Sequence, residues 1–472
     1  MVRLLGSALR SCRLAVPRTV PAPSSVLRRG AYRAYSQSAE SDVAVNNDRP
    51  HASGKPSAKP PQKPRTVVDL GTPHTLATAQ GPAAAMMDED ALYITHPTEG
   101  PRKLMHRLLR DACKCPQCVD PHSKQRNHRT SDIPPSIQPR EIKWNGRVLE
   151  VQWTNDLPGF DESHTSRYTW RELTETHPNE FHSTSGKGRR RLLWDKAVMQ
   201  KRQHWISYNH YMNDEPKFSA AMRQLASQGL IFVKGIPDSR DMVERIATRM
   251  GPLRNTFYGS TFDVRTVPNA ANIAYTNGFL GFHMDLMYMN EVPGYQLLHC
   301  LQNSCDGGES LFADAFCVAE YMRSHHPKEY KILTRLFLCY EYNHENHVYG
   351  NYRRVFETGY PGGPLVHVNY SPPFQGSLLT SQALRNPKDL EEGMAALKLF
   401  ADLLQQESNI FELKLNPGEC VIFENRRIVH ARRQFNTATG QRWLAGAYVD
   451  EDDLRSRFAV SRRKYSWMWA QE

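Results

Sequence analysis

The chain has 472 residues, 40% of them hydrophobic and 23% charged, with a formal net charge of +11. That length supports a large core and two folded units, and no apolar run reaches the ~20 residues of a membrane-spanning helix. Residues 1–39 hold seven arginines and no Asp, Glu or Lys; without them the net charge falls by seven to +4, and no basic-aromatic pattern elsewhere points to nucleic acid.

In chain order, residues 1–39 read as a mitochondrial transit peptide, with arginines, serines and no acids. A mitochondrial matrix location is therefore expected. Residues 40–66, with "GKPSAKPPQKPR", are a linker too poor in apolar residues to fold. Residues 67–185 form a small β-rich unit in which "RTVVDLG", "ALYIT" and "RVLEVQWTND" are short strands. "HRLLRDACKCPQCVD" begins as a helix and ends in three cysteines, and a basic hinge, "STSGKGRRRLLWDK", follows.

Residues 190–472 are mixed. "FSAAMRQLASQG" and "RDMVERIATRMG" have helical spacing and glycine stops, with the buried strand "LIFVKGIP" between them. Strands are expected in "NIAYTN", "YQLLHCLQN", "SLFADAF", "LVHVNYS", "FELKLNPGECVIFEN" and "QRWLAGAYVD". "CVAEYMRSHHPKEYKILTRL" and "NPKDLEEGMAALKLFADLLQQ" are helices. Many short strands without βαβ alternation imply a mainly β core with helices, a sandwich or jelly roll.

Two groups of residues carry chemistry. In "GFHMDLMY", His283 and Asp285 are two apart, so a strand would aim both side chains to one side. Two histidines and a carboxylate on one face hold a metal and leave positions open. The best third ligand is His430 in "ENRRIVHARR", after the strand "CVIF" and a turn. His299 reads instead as a core residue, and His344 and His347 as solvated ones. Arg442 alternates onto one face with Leu444, Gly446 and Tyr448. A buried guanidinium there needs an anion, and it suits a carboxylate held through two hydrogen bonds. A metal with open positions beside a carboxylate clamp fits a chelating 2-oxo acid. The second group is Cys113, Cys115 and Cys118, which with a fourth His or Cys suit tetrahedral zinc. His122 and His164 both compete for the fourth place. Nine cysteines in all, an odd number, do not suggest a disulfide framework.

His283-Met284-Asp285, His430 and Arg442, with "GGESLFADAF", resemble the iron(II)- and 2-oxoglutarate-dependent dioxygenases of the taurine-dioxygenase type. "TFYGSTF", "NIAYTNGFLGFHMD", "YQLLHC" and "AGAYVDED" resemble the gamma-butyrobetaine dioxygenase family in particular. The resemblance runs from about residue 90 to the C-terminus. It implies a double-stranded β-helix core and an N-terminal zinc-binding domain. His283, Asp285 and His430 would bind Fe(II); Arg442, Ser310 and Leu298 would bind 2-oxoglutarate; ascorbate would serve as reductant. Cys113, Cys115, Cys118 and His164 would bind Zn(II). The implied reaction is hydroxylation of an unactivated C–H with O2, giving succinate, and the implied assembly is a homodimer.

The implied substrate is gamma-butyrobetaine, converted to carnitine. Its trimethylammonium group would sit among Tyr258, Phe262, Tyr275 and Tyr448, and Asn272 would meet its carboxylate. This chain departs from the family at Phe262, where tryptophan is usual. It also departs at Leu286 (tyrosine in the animal enzymes), Ser371 (asparagine) and Arg426 (tryptophan). These departures bear on the substrate and leave the chemistry intact. Other readings are the same chemistry on a trimethyllysine-like molecule or a small acid, a cupin lyase or isomerase, and an inactive mitochondrial zinc protein that kept the fold. Arg442 argues against the lyase, and the intact His/Asp/His set against the inactive protein.

Overall fold

A computed structural model describes residues 76–78, 81–83, 85–174, 191–266, 273–378 and 386–470. All of them fall in one compact unit, Val68–Glu472. The expected transit peptide, the linker, the strand "RTVVDLG" and Asn272 lie outside the described residues. Among the described residues no helix is long and apolar enough to cross a membrane.

Residues 85–174 contain two three-stranded antiparallel sheets. One joins Ala85–Met87, Ala91–His96 and Gly100–Met105; the other joins Gln138–Trp144, Val148–Thr154 and Thr165–Thr169. The sequence dictates which face is buried. In Val148–Thr154 the apolar residues alternate, so Leu149, Val151 and Trp153 turn inward. They pack with Leu92, Ile94, Leu109 and Trp144 in a separate hydrophobic core.

The remainder is built on two larger sheets. A six-stranded sheet runs in the order Thr261–Arg265, Arg442–Val449, Tyr295–Asn303, Glu419–Glu424, Leu230–Lys234, Trp205–Ser207. A four-stranded sheet runs Leu280–His283, Ile428–Arg432, Ser310–Asp314, Phe411–Leu413. Phe232, Leu298 and Leu444 from the first share one core with Phe282, Phe312 and Ala431 from the second. The result is a mixed structure of two stacked sheets with helices; the strand pattern had implied a mainly β core with helices. Strand Tyr295–Asn303 is buried on both faces up to Leu301 because it is covered on both. Its other side meets Phe218, Leu225, Ile246 and Leu454 of the helices Glu215–Gln228, Met242–Met250 and Glu451–Lys464. The first of these helices is capped by Asp214 and stopped by Gly229, whose φ of 73° is unfavourable for a side-chain-bearing residue.

Three expectations change. "NIAYTN" is not a strand: Ile273–Tyr275 is a 3-10 turn. Its curl gives one buried guanidinium several acceptors, since Arg432 donates to the carbonyls of Ala274, Thr276 and Gly278 at 2.8–2.9 Å. The single helix expected near 317–336 is two, Ala315–His325 and Pro327–Leu333, because Pro327 cannot continue a helix and starts a new one. Asp285 lies beyond the end of its strand, in a turn.

One buried ion pair fixes the turn that leads into His430. Arg427 and Asp314 have no exposed side-chain surface. The guanidinium donates to both Asp314 oxygens at 3.1 and 2.8 Å, and to the carbonyls of Ser227 and Leu192. Asp314 also accepts from the Phe316 amide at the start of helix Ala315–His325. Asp314→Ala would leave the guanidinium buried and uncompensated. It is expected to cost about 3–5 kcal/mol, measurable by chemical denaturation.

Candidate active site

The antiparallel register explains how residues far apart in sequence meet. Leu280–His283 pairs with Ile428–Arg432 so that His283 stands opposite His430. Their rings are 4.1 Å apart. His283 Nδ1 donates to the Gly281 carbonyl at 2.9 Å, which leaves Nε2 as the free ring nitrogen. Asp285 reaches the pair from its turn, with Oδ1 at 3.4 Å from His283 Nε2 and 4.0 Å from His430 Nε2. The potential ligand atoms all lie within 4.8 Å of one another.

The expected strand alternation therefore gave the right neighbours by a different route. The next residue, Leu286, holds a φ of 59°, a left-handed conformation that is rare for a branched side chain. Asn425, fully buried, braces the turn. It accepts from the Asp285 amide at 2.9 Å and donates to the carbonyls of Asp285 and Pro293.

Electrostatics suit metal binding. Burial, reinforced by His283, pushes the His430 imidazole down to about 3, so it is neutral. Burial opposes ionisation of Asp285, but the facing His283 and His430 rings and the hydrogen bond from the Tyr448 hydroxyl outweigh it and hold the carboxyl below its usual range. Neither group needs to shed a proton to bind a cation.

These residues open on one cavity. It is also lined by Arg442, Ser310, Leu298, Tyr258, Phe262, Tyr275 and Tyr448. Every described residue assigned to the site in the sequence thus reaches it. Arg442 is buried, and Nε donates weakly to the Gly308 carbonyl at 3.4 Å. Among the described residues it has no carboxylate partner. Burial lowers its pKa without removing its charge. Of the departures, only Phe262 and Leu286 line the cavity. Arg426 pairs elsewhere, with Glu357 at 2.8 Å. Arg432 and Gln296 also line it and were missed. Arg432 was legible, lying two residues after His430 on one strand. The rings of Tyr258 and Tyr275 are 6.5 Å apart and near perpendicular; those of Phe262 and Tyr448 stack at 4.9 Å.

A second cluster lies in the N-terminal part. Cys113, Cys115 and Cys118 Sγ stand 3.6, 3.4 and 3.4 Å from His164 Nε2. Bonds of about 2.3 Å to sulfur and 2.0 Å to nitrogen in a tetrahedron give S···N edges of about 3.5 Å, so this donor set fits zinc. His122 is exposed on its own loop and is not part of the cluster. Asp156 Oδ2 accepts from His164 Nδ1 and Oδ1 from Arg110 Nε, both at 2.6 Å. Arg110, fully buried, also donates to Cys118 Sγ at 3.3 Å.

Comparison with known proteins gives the same direction. The taurine catabolism dioxygenase TauD, TfdA family model matches residues 196–448. The chain belongs to this family. A second model, gamma-butyrobetaine hydroxylase-like, N-terminal, matches residues 85–174. Dioxygenase str8 of Strobilurus tenacellus is 35% identical over 371 residues, 75% of this chain and 84% of that protein. Trimethyllysine dioxygenase of Meyerozyma guilliermondii is 27% identical, over 78% of this chain and 93% of that protein. Gamma-butyrobetaine dioxygenase of Pseudomonas sp. is 28% identical, over 76% and 90%. This dioxygenase is an oxidoreductase dependent on iron(II) and 2-oxoglutarate, acting with O2 on a small molecule.

Proposed function

We propose that the enzyme hydroxylates an unactivated C–H of a small trimethylammonium compound, gamma-butyrobetaine before others, and so forms carnitine. The observation that carries this reading is the shared cavity. The His283, Asp285 and His430 set, a buried guanidinium with no carboxylate partner among the described residues, and four aromatic rings all line it. Bound iron with 2-oxoglutarate supplies the activation of O2. His283, Asp285 and His430 would hold the metal, and Arg442, with the Ser310 hydroxyl beside it, would hold the far carboxylate of 2-oxoglutarate. Leu298, Leu444 and Phe312 keep water from the reacting centre. Tyr258, Phe262, Tyr275 and Tyr448 present ring faces to the quaternary ammonium, each contact contributing roughly 0.5–2 kcal/mol.

The test is direct. Protein loaded anaerobically with Mn(II) and 2-oxoglutarate is titrated with gamma-butyrobetaine and with its uncharged isostere, in which a tert-butyl group replaces trimethylammonium. The charged ligand should bind at least about tenfold more tightly. Equal binding would favour a second reading, the same chemistry on a less polar molecule. The apolar Leu286 and Phe374 in the lining favour that reading.

The cysteine cluster is read as a structural zinc site, with Asp156 orienting His164. Asp156→Asn is expected to weaken zinc about 10–100-fold in competition with a chromogenic chelator. Stoichiometric zinc in His164→Ala would remove His164 from the set. The arginine-rich first 39 residues fit import into the mitochondrial matrix; a reporter fused to residues 1–45 that stays diffuse in the cytosol would refute it. Ascorbate as reductant and a homodimeric assembly complete the reading.

A further inference from the structure

Asp285 gives its two carboxylate oxygens to different partners. Oδ1 faces the imidazoles of His283 and His430. Oδ2 accepts a 2.6 Å hydrogen bond from the Tyr448 hydroxyl. Tyr448 itself is buried, and its ring stacks on Phe262 with an interplanar angle of 26°. Phe262 in turn packs against Gly446, the residue opposite it in the strand register, where any Cβ would overlap ring carbons Cε2 and Cζ. Contacts therefore run unbroken from Gly446 through Phe262 and Tyr448 to Asp285.

We propose that Tyr448 is a positioning residue for the metal carboxylate, and that the Phe262–Tyr448 stack sets where Tyr448 stands. This role rests on the reading of Asp285 as an iron ligand and goes beyond the ring contact assigned to Tyr448 above. The physics is that of a carboxylate with one oxygen tied. With Oδ2 engaged by a phenol, Oδ1 is the oxygen free to meet the metal, and turning the carboxyl plane to offer both would weaken that hydrogen bond. Asn425 holds the backbone of the same residue, so the group is fixed at both ends. Hydrogen bonds of this kind to ligating groups govern metal affinity and ligand orientation.

The experiment uses the full chain with Mn(II) and Co(II) as probes and no turnover. Tyr448→Phe keeps the ring and removes the hydroxyl. Its Mn(II) affinity should fall about 10–100-fold, and the Co(II) absorption bands should shift as the carboxylate changes its mode of binding. Gly446→Ala displaces the Phe262 ring and with it the support of Tyr448, while the hydroxyl itself is retained in the chain. It should weaken Mn(II) when Tyr448 is present and have no further effect in the Tyr448→Phe background. Circular dichroism confirms that each variant is folded, and His283→Ala serves as the reference for loss of the site. Unchanged Mn(II) affinity in Tyr448→Phe, with loss in His283→Ala, overturns the role of Tyr448 alone. Unchanged affinity in both overturns the metal-site reading with it. Equal effects of Gly446→Ala in the two backgrounds overturn the part given to Phe262.

Discussion

Asp285→Ala is expected to reduce 2-oxoglutarate turnover to the protein-free background and to abolish tight Mn(II) binding. The expectation follows from what Asp285 contributes. It is the anionic member of the proposed ligand set; His283 and His430 are imidazoles, and burial keeps His430 neutral. Without the carboxylate, the cation would enter a buried site with nothing to offset its charge. Folding should survive, because Asp285 sits in a turn at the cavity and the buried Arg427–Asp314 pair lies elsewhere. Thermal unfolding of the metal-free variant checks this, and Mn(II) titration reads the site itself. Retained turnover would mean that the oxidation is organised around other residues.

The second large effect is at Arg442. Arg442→Met keeps most of the side-chain volume and removes the charge and its donors. It should raise the KM for 2-oxoglutarate by about two to three orders of magnitude, the loss of two charge-assisted hydrogen bonds in a dry site. Mn(II) affinity in the absence of 2-oxoglutarate should change little, because Arg442 has no part in the His/Asp/His set. That split separates a carboxylate clamp from a structural arginine. Arg432 is the internal contrast. It too is buried and lines the cavity, but its two terminal nitrogens are committed to three backbone carbonyls. Arg442→Lys should recover only part of the loss, since an ammonium cannot make the paired, planar contact.

The residues of the site were legible because their types and spacing carry the chemistry. A His-x-Asp pair, a histidine on a second strand and an arginine alternating with small and aromatic residues could be read without coordinates. The three clustered cysteines could be read in the same way, although the choice between His122 and His164 needed the resemblance. The two-sheet core followed from short apolar runs separated by turns. What sequence reasoning missed depends on proximity in space. Asn425 reads as one more polar residue in "FENRR", yet it braces the Asp285 turn from across the fold. "NIAYTN" has the composition of a strand, and only the buried Arg432 explains why it curls instead. Tyr448 could be placed on the cavity face by alternation, but nothing local says that its hydroxyl meets Asp285. Leu286 has no glycine-like signal for its left-handed backbone; the turn imposes it.

The most direct measurement loads the full chain anaerobically with Fe(II), ascorbate, 2-oxoglutarate and gamma-butyrobetaine, admits air, and follows succinate and carnitine by mass spectrometry. The proposed function predicts both products in equal amounts, and neither from His283→Ala. Succinate without carnitine would contradict the assignment of gamma-butyrobetaine as substrate, and neither product from iron-loaded protein would contradict the proposed site.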